Sequence, residues 1–308
     1  MRIAVMGAGG TGGFFGGLLA RAGEDVTLIA RGAHLDAIRR HGLTVRSRLL
    51  GDFTVAAKAT DDPTEVGVVD LVLFCVKAYD NDTAIPAIRP LVGRDTMVLS
   101  VQNGIDNEEL IARVVGSRAV LGAMAGVSAA IPAPGVIEHT AGGLIRFGEL
   151  SGGTTPRTAR LLETLRAAGI QAELHPDVRV LLWDKFVVIC ALSGVTALTR
   201  LSIGVIRADP ETATLFRGTM EEVDALARAR DVPLPPDCVD RWWAFLASAD
   251  PAIRGSMAHD LAAGRRLELE TLNGTVVRLG RERGVPTPLN FAIYAALKPY
   301  AGGAPASR

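Results

Sequence analysis

Six residues near the amino terminus, Gly7-Ala8-Gly9-Gly10-Thr11-Gly12, follow a short apolar run at 3–6 and open a stretch of helix-compatible residues. A G-x-G-x-x-G pattern between a strand and a helix is where backbone N–H groups and the positive end of a helix receive a pyrophosphate. On that reading Gly7 permits the tight turn, Gly9 lets the backbone approach the ligand and Gly12 lets the helix pack closely on the sheet, with Ala8, Gly10 and Thr11 completing the loop. The bland alternative is a glycine-rich turn without a ligand. The next apolar run, 26–30, ends in Arg31. A carboxylate there would pair with ribose hydroxyls, whereas a guanidinium can pair bidentately with a 2′-phosphate and stack on adenine, which favours NADP(H) over NAD(H). A solvated loop cation is the competing reading of Arg31. Lys77 follows the run 71–76, and Asn103-Gly104 follow Val101-Gln102. Both stand at the carboxyl edge of strands, where open α/β sheets bind ligands, and the Asn103 amide can hydrogen-bond nicotinamide or substrate. Taken alone, each is equally well read as a surface lysine or a turn residue.

These residues need a scaffold that the apolar pattern supplies. Runs at 3–6, 26–30, 71–76, 97–101 and 120–123 are continuous rather than alternating, as strands of a parallel sheet covered on both faces should be. Segments 136–138 and 144–147, separated by Gly142-Gly143, read as a hairpin. After Gly152-Gly153 a helix is predicted over 158–168 and a last strand over 171–174; beyond Pro176 almost every segment has helical periodicity. The predicted helices are 178–192, 211–229, 236–246, a long one over 257–283, and 289–297, with a frayed tail from Gly302 to Arg308. The fold class is therefore α/β: a Rossmann dinucleotide-binding domain over 1–175, followed by an all-helical substrate and catalytic domain over 176–308.

Together the motifs form a wider pattern. The glycine loop, Val76-Lys77-Ala78, Gln102-Asn103-Gly104, Leu182-Trp183-Asp184-Lys185-Phe186, Ser256-Met257 with Asp260, Gly264-Arg265-Arg266-Leu267-Glu268 and Leu272-Asn273-Gly274 span nearly the whole chain. In these residues the sequence resembles the ketopantoate reductase (2-dehydropantoate 2-reductase) family. The resemblance implies an NADPH-dependent oxidoreductase that reduces the C2 ketone of ketopantoate to pantoate for coenzyme A synthesis. It implies that Lys185 donates the proton to the nascent alkoxide, that Glu268 orients lysine or substrate and touches the cofactor, and that Ser256 contacts the substrate. Lys77 and Asn103 would line the nicotinamide and substrate end, and Arg31 would hold the 2′-phosphate. The chemistry agrees, because a ketone accepting hydride develops negative charge on oxygen, and a cation able to give a proton lowers that barrier in two ways. Without the resemblance, Lys185 reads as a snorkelling helix lysine and Glu268 as a solvated charge beside Arg265.

One departure bears on the substrate. The family typically carries asparagines one and two helical turns after the catalytic lysine; this chain has Ile189 and Ser193. Ile189 cannot hydrogen-bond, so either ketopantoate is held by other polar groups such as Ser193 and Asn273, or the substrate is a related, less polar 2-keto acid. Two rival readings share the nucleotide fold: a 3-hydroxy acid dehydrogenase, and an NADP-binding sensor that has lost its chemistry.

Bulk properties narrow the field. Thirty-three basic residues balance 33 acidic ones, so no global field recruits nucleic acid or an anionic membrane. Cys75, Cys190 and Cys238 are odd in number and far apart, which fits a reducing cytoplasm rather than a disulfide framework. The amino terminus lacks the pattern of a signal peptide, no membrane-spanning segment is expected, and the five histidines show no metal-ligand spacing. His34, near Arg31, reads as a loop histidine rather than a phosphate contact. The expected partner is a small-molecule 2-keto acid, with a homodimer through the helical half as the default assembly.

Overall fold

The computed structural model describes residues 1–305, which divide into two compact units: residues 1–102 with 106–181, and residues 103–105 with 182 onward. The first unit contains β1 (Arg2–Met6), α1 (Gly10–Arg21), β2 (Asp25–Ile29), α2 (Gly32–His41), β3 (Leu43–Ser47), β4 (Phe53–Val55), β5 (Lys58–Thr60), β6 (Leu71–Phe74), α3 (Asn81–Ala87), β7 (Met97–Ser100), α4 (Asn107–Val115), β8 (Val120–Ala133), β9 (Val136–Glu149), α5 (Pro156–Ala167) and β10 (Gln171–Leu174). Its sheet runs in the order β4-β3-β9-β8-β7-β6-β1-β2-β5, with β10 beside β9. The stretch β5-β2-β1-β6-β7-β8 is parallel throughout. Its order, with β1 at the centre and the chain reversing direction across the β1/β6 boundary, is that of the doubly wound dinucleotide-binding sheet.

The continuous apolar strands are explained by the two faces. Ile3, Val5, Leu71 and Leu73 point to one side, against Phe14, Phe15, Leu18 and Leu19 of α1; Ala4, Met6, Val72 and Phe74 point to the other, against Ile85 of α3 and Ile111 of α4. Successive side chains alternate across a strand, so a strand covered on both faces must be apolar at every position.

The structure corrects the predicted hairpin about Gly142-Gly143. Val136–Glu149 is one long strand, antiparallel to β8, and the true turn lies at Pro134-Gly135. Gly142 and Gly143, at φ +80° and +120°, form a bulge where the register shifts from Gly126↔Leu144 to Val127↔Gly142. Left-handed glycines that ordinarily mark a turn here mark an extra residue inside a strand. β3, β4 and β5 were also not anticipated; they are short and half-buried, and so lack a continuous apolar run.

The second unit is helical: most of α6 (Val178–Thr199), then α7 (Ile203–Ala208), α8 (Pro210–Arg228), α9 (Cys238–Ser248), α10 (Ser256–Ala262), α11 (Thr275–Arg283) and α12 (Pro288–Leu297). The single long helix predicted over 257–283 is broken. Gly264 takes φ +64° and ends α10, residues 265–268 run without regular structure, and Glu270–Gly274 forms a π-helical turn before α11. The helix α6 is longer and more apolar than the sequence suggested, with mean hydropathy 1.7 over a membrane-length window, but 72% of that window is buried inside the protein. The tail is also less free than predicted: the Leu267 N–H donates to the Ala301 carbonyl and the Ala304 N–H to that of Gly264, at 3.0 and 3.1 Å. The expectation for residues 306–308 lies outside the described residues.

Candidate active site

In the first unit the glycine loop is shaped by backbone contacts. Gly7 takes φ +96°, and a Cβ there would lie 2.9 Å from the Val76 nitrogen. The Gly7 and Ala8 N–H groups both donate to the Ile29 carbonyl, at 3.2 and 3.0 Å, which folds the loop over the end of β2. A Cβ on Gly12 would clash with the Gly7 carbonyl and approach the Cys75 Cβ to 2.9 Å, so the helix crosses β1 and β6 at a distance only glycine allows. Gly9 differs: nothing lies within 4 Å of where its Cβ would stand. Its lack of a side chain is not required by the protein's own packing, and it leaves the loop open to an incoming group. The first turn of α1 holds no acidic residue and Gly9 offers no capping side chain, so the N–H groups of the turn keep their capacity for an anion. An open Gly9 and an uncapped, uncharged helix start fit a dinucleotide pyrophosphate.

Gly10 has a role the sequence did not disclose. A Cβ on it would clash with the Ala129 carbonyl of β8, so the β8–β9 hairpin lies directly against the loop. Arg31 is the N-cap residue of α2; its guanidinium is 73% exposed and sits 3.3 Å from the Asp80 carboxylate. Such an exposed pair holds weakly and leaves the cation available to a phosphate.

Lys77 begins the turn after β6. Beneath it lies a buried amide network: Gln102 Nε2 donates to the Val76 carbonyl at 2.9 Å and to Asn81 Oδ1 at 2.8 Å, while Asn81 Nδ2 donates to Asn107 Oδ1 at 2.9 Å. Gln102, Asn81 and Asn107 are each more than nine-tenths buried, so these bonds must be made internally. The network ties the residue before Lys77 to the residue before Asn103. Sequence analysis missed Asn81 and Asn107, whose only signal was polar residues beside strand ends.

In the second unit Lys185 Nζ donates to Asn103 Oδ1 at 2.9 Å, joining two predicted site residues 82 positions apart. The neighbours of Lys185 anchor the helix. Trp183 and Phe186 are buried edge to face with centroids 5.7 Å apart, and Asp184 accepts from Cys238 Sγ at 3.3 Å and pairs with Arg241, fastening α6 to α9. Burial, reinforced by the Asp184 charge, pushes the Cys238 thiol up to about 12, so it acts as a donor and not as a nucleophile. One turn beyond Lys185, Ile189 is half-buried, and Leu192 three residues on is likewise half-buried.

The remaining predicted residues divide. Ser256 is exposed at the start of α10, directly after Gly255, whose Cβ would lie 2.5 Å from the Ser193 Cα. Ser193 itself is fully buried, and its Oγ has no hydrogen-bond partner among the described residues. Glu268 is only 4% exposed, which argues against the competing view of it as a solvated charge beside Arg265. Asn273 is fully buried in the helical unit; its Nδ2 donates to the Cys190 carbonyl at 3.3 Å and to Asn290 Oδ1 at 2.9 Å. Asn290 in turn donates to Glu222 Oε2 at 2.8 Å. Through its Nδ2, Asn273 ties α6, α12 and the π-helical turn together, with α8 joined through Asn290, while its Oδ1 has no hydrogen-bond partner among the described residues.

A doubly wound sheet with an open glycine loop, followed by a helical unit presenting an anchored lysine, defines a dinucleotide-dependent oxidoreductase. Comparison with known proteins agrees. The family described as ketopantoate reductase PanE/ApbA matches residues 3–152, and its C-terminal counterpart matches 177–301. A 2-dehydropantoate 2-reductase of Mesorhizobium japonicum is 32% identical, and one of Pyrococcus horikoshii 30%, each over 97% of both chains. Among solved structures, a PanE/ApbA family ketopantoate reductase from Ralstonia eutropha superposes with a TM-score of 0.90 at 35% identity over 98% of both chains. D-mandelate dehydrogenase, solved with NADH and anilino(oxo)acetate, shares the fold with a TM-score of 0.90 at 22% identity over 98% of both chains. The chain belongs to the ketopantoate reductase family. It is an NADP-dependent oxidoreductase, and its cofactor is NADP(H).

Proposed function

We propose that the chain reduces the C2 ketone of 2-dehydropantoate to the hydroxyl of pantoate, the step that feeds pantothenate and coenzyme A synthesis. The observation that carries this reading is the Lys185–Asn103 hydrogen bond, which sets an ammonium against an amide able to contact the same small substrate. The loop 7–12 would hold the pyrophosphate, Arg31 the 2′-phosphate, and Lys77 and Asn103 the nicotinamide end. When bound, NADPH supplies the hydride that becomes the C2 hydrogen of the product.

As the C2–O double bond becomes single, negative charge gathers on oxygen. Lys185 Nζ stabilises that charge electrostatically and transfers its proton to the oxygen, leaving a neutral amine that regains a proton from solvent. The buried Glu268 carboxylate orients the ammonium or the substrate, and Ser256 offers its hydroxyl to the substrate. Three free cysteines suit a reducing cytoplasm, where we place the reaction.

A second reading rests on Ile189 and Leu192. Their half-exposed side chains extend the Lys185 face with apolar rather than hydrogen-bonding groups, which favours a 2-keto acid whose far end is less polar than that of ketopantoate. The bound anilino(oxo)acetate of D-mandelate dehydrogenase is an aromatic 2-oxo acid on the same fold. Steady-state kinetics with NADPH and NADH over 2-dehydropantoate, 2-oxoisovalerate and phenylglyoxylate decide between them. The first reading expects the highest kcat/KM for 2-dehydropantoate with NADPH; a preference for either of the others selects the second, and no turnover with any of them overturns both.

A further inference from the structure

The side chain that joins the glycine loop to the rest of its unit belongs to none of the residues discussed so far as site residues. His34, in the first turn of α2, accepts at Nδ1 from the Gly135 N–H at 3.0 Å. A neutral imidazole accepting at Nδ1 carries its proton on Nε2, and Nε2 lies 2.9 Å from the Ala8 carbonyl oxygen, to which it donates. One ring thus bridges the dinucleotide loop and the turn of the β8–β9 hairpin, 101 residues apart in sequence. Half-burial depresses the His34 pKa, which keeps the ring neutral and the two roles fixed.

We propose that His34 is the positioning residue of the NADP(H) loop, setting the direction of the Gly9 N–H through the Ala8 carbonyl. This inference rests on the reading of the loop 7–12 as the pyrophosphate site. The Ala8–Gly9 peptide is trans, so its carbonyl and N–H point to opposite sides of one plane. Holding the carbonyl toward the imidazole therefore turns the Gly9 N–H away from it, on the residue left open to a ligand.

The preceding peptide, Gly7–Ala8, is held as well. The Ala8 N–H is bound to the Ile29 carbonyl, so two bonds define the approach to Gly9. The hairpin that supplies the Gly135 N–H is itself braced: Gly135 accepts from the Thr44 N–H at 2.9 Å, and Ala129 packs against Gly10. His34 also stands three residues after Arg31. One short helix start thus carries both the cation suited to the 2′-phosphate and the group that orients the pyrophosphate loop, and a glycine or alanine loop with no such tie would have to be ordered by the ligand on binding.

Direct NADPH binding, read by nucleotide fluorescence with the whole chain, tests the assignment. His34→Leu removes both bonds; His34→Asn keeps an acceptor for Gly135 but loses the donor to Ala8; His34→Gln keeps a donor within reach of Ala8. Leu and Asn are expected to raise the NADPH Kd about fivefold, the worth of one directed neutral hydrogen bond, with Gln restoring affinity to within about twofold. Thr96→Val serves as the control for general loosening, since the Thr96 hydroxyl bonds the Val69 carbonyl in the same unit at 2.6 Å, away from the loop. Gly9→Val tests the underlying reading, because the Cβ it adds has no protein atom within 4 Å and projects where the ligand would lie. Loss of affinity in Gly9→Val with wild-type Kd in His34→Leu or His34→Asn overturns the His34 assignment alone, as does an equal loss in Thr96→Val. Unchanged affinity in Gly9→Val overturns the loop reading and the His34 assignment with it.

Discussion

The two units hold their functional groups by different means. In the first, the atoms proposed to face the ligand are backbone N–H groups, and glycines at 7, 10 and 12 let one piece of main chain lie against another. In the second, the proposed chemistry hangs on side chains, and polar partners hold the surroundings in place: Lys185 by Asn103, its neighbour Asp184 by Arg241 and Cys238, and the π-helical turn by Asn273 and Asn290. A backbone site tolerates no added atom, whereas a side-chain site tolerates no lost one. On the proposed function, binding is built for exclusion and proton transfer for retention.

Loss at the second unit should show the largest effect. Lys185→Ala is expected to lower kcat by about 10²–10⁴-fold, the usual worth of a positioned general acid, while leaving NADPH affinity near its original value. Normal turnover by that variant would remove the side-chain half of the contrast. Addition at the first unit comes next. Gly10 is the first residue of α1, where Gly10→Ala gains little helix propensity, and the new methyl must push the β8 backbone aside, so a net loss of about 1–3 kcal/mol is expected in denaturant unfolding. A Gly10→Ala variant as stable as the original chain would show that the hairpin yields freely.

Arg31→Ala sharpens the contrast, since it removes the one exposed side chain assigned to the first unit's ligand. It should raise the KM for NADPH about tenfold and change that for NADH little, because only the former carries the 2′-phosphate. Equal effects on both cofactors would count against the phosphate role.

The smallest expected effect is on acid stability. Burial depresses the pKa of both His34 and His139, and both lie in the first unit. His139 Nδ1 sits 2.8 Å from Ser47 Oγ, and its ring stacks on Phe14 with centroids 4.0 Å apart. Folded-state values below the ordinary 6.5 mean that the unfolded chain takes up protons first as pH falls. The stabilisation is therefore complete above about pH 6.5 and declines as pH drops toward the folded values, then levels. Melting temperatures measured over that window should fall with acid, and His139→Gln should flatten the decline; an unaltered slope would assign it elsewhere.

Much of the first unit could be read from its strands, because burial on both faces forces apolar residues throughout β6, in β1 after the exposed Arg2 and in β7 up to Ser100. The glycine loop was legible for the same reason that it works: steric need leaves only one residue type. What stayed hidden depends on contacts distant in sequence. Gly142-Gly143 resembled a turn because left-handed glycines serve turns and bulges alike, and only the pairing with β8 distinguishes them. The break after α10 was missed because apolar spacing continues across Gly264, and His34 looked like an ordinary loop residue because its second partner is Gly135. Lys185 was found through a motif and not through periodicity, while the burial of Asn273 was invisible to both.

The π-helical turn at Glu270–Gly274 has a consequence for anyone altering this chain. A wide turn accommodates one residue more than an ordinary helical turn, so deleting a single position there would restore regular winding and re-seat the residues just before the turn relative to α11. Glu268 stands two residues before that turn. Its aim is thus stored as an irregularity in main-chain winding, and straightening the helix for the sake of stability would redirect the carboxylate without touching it.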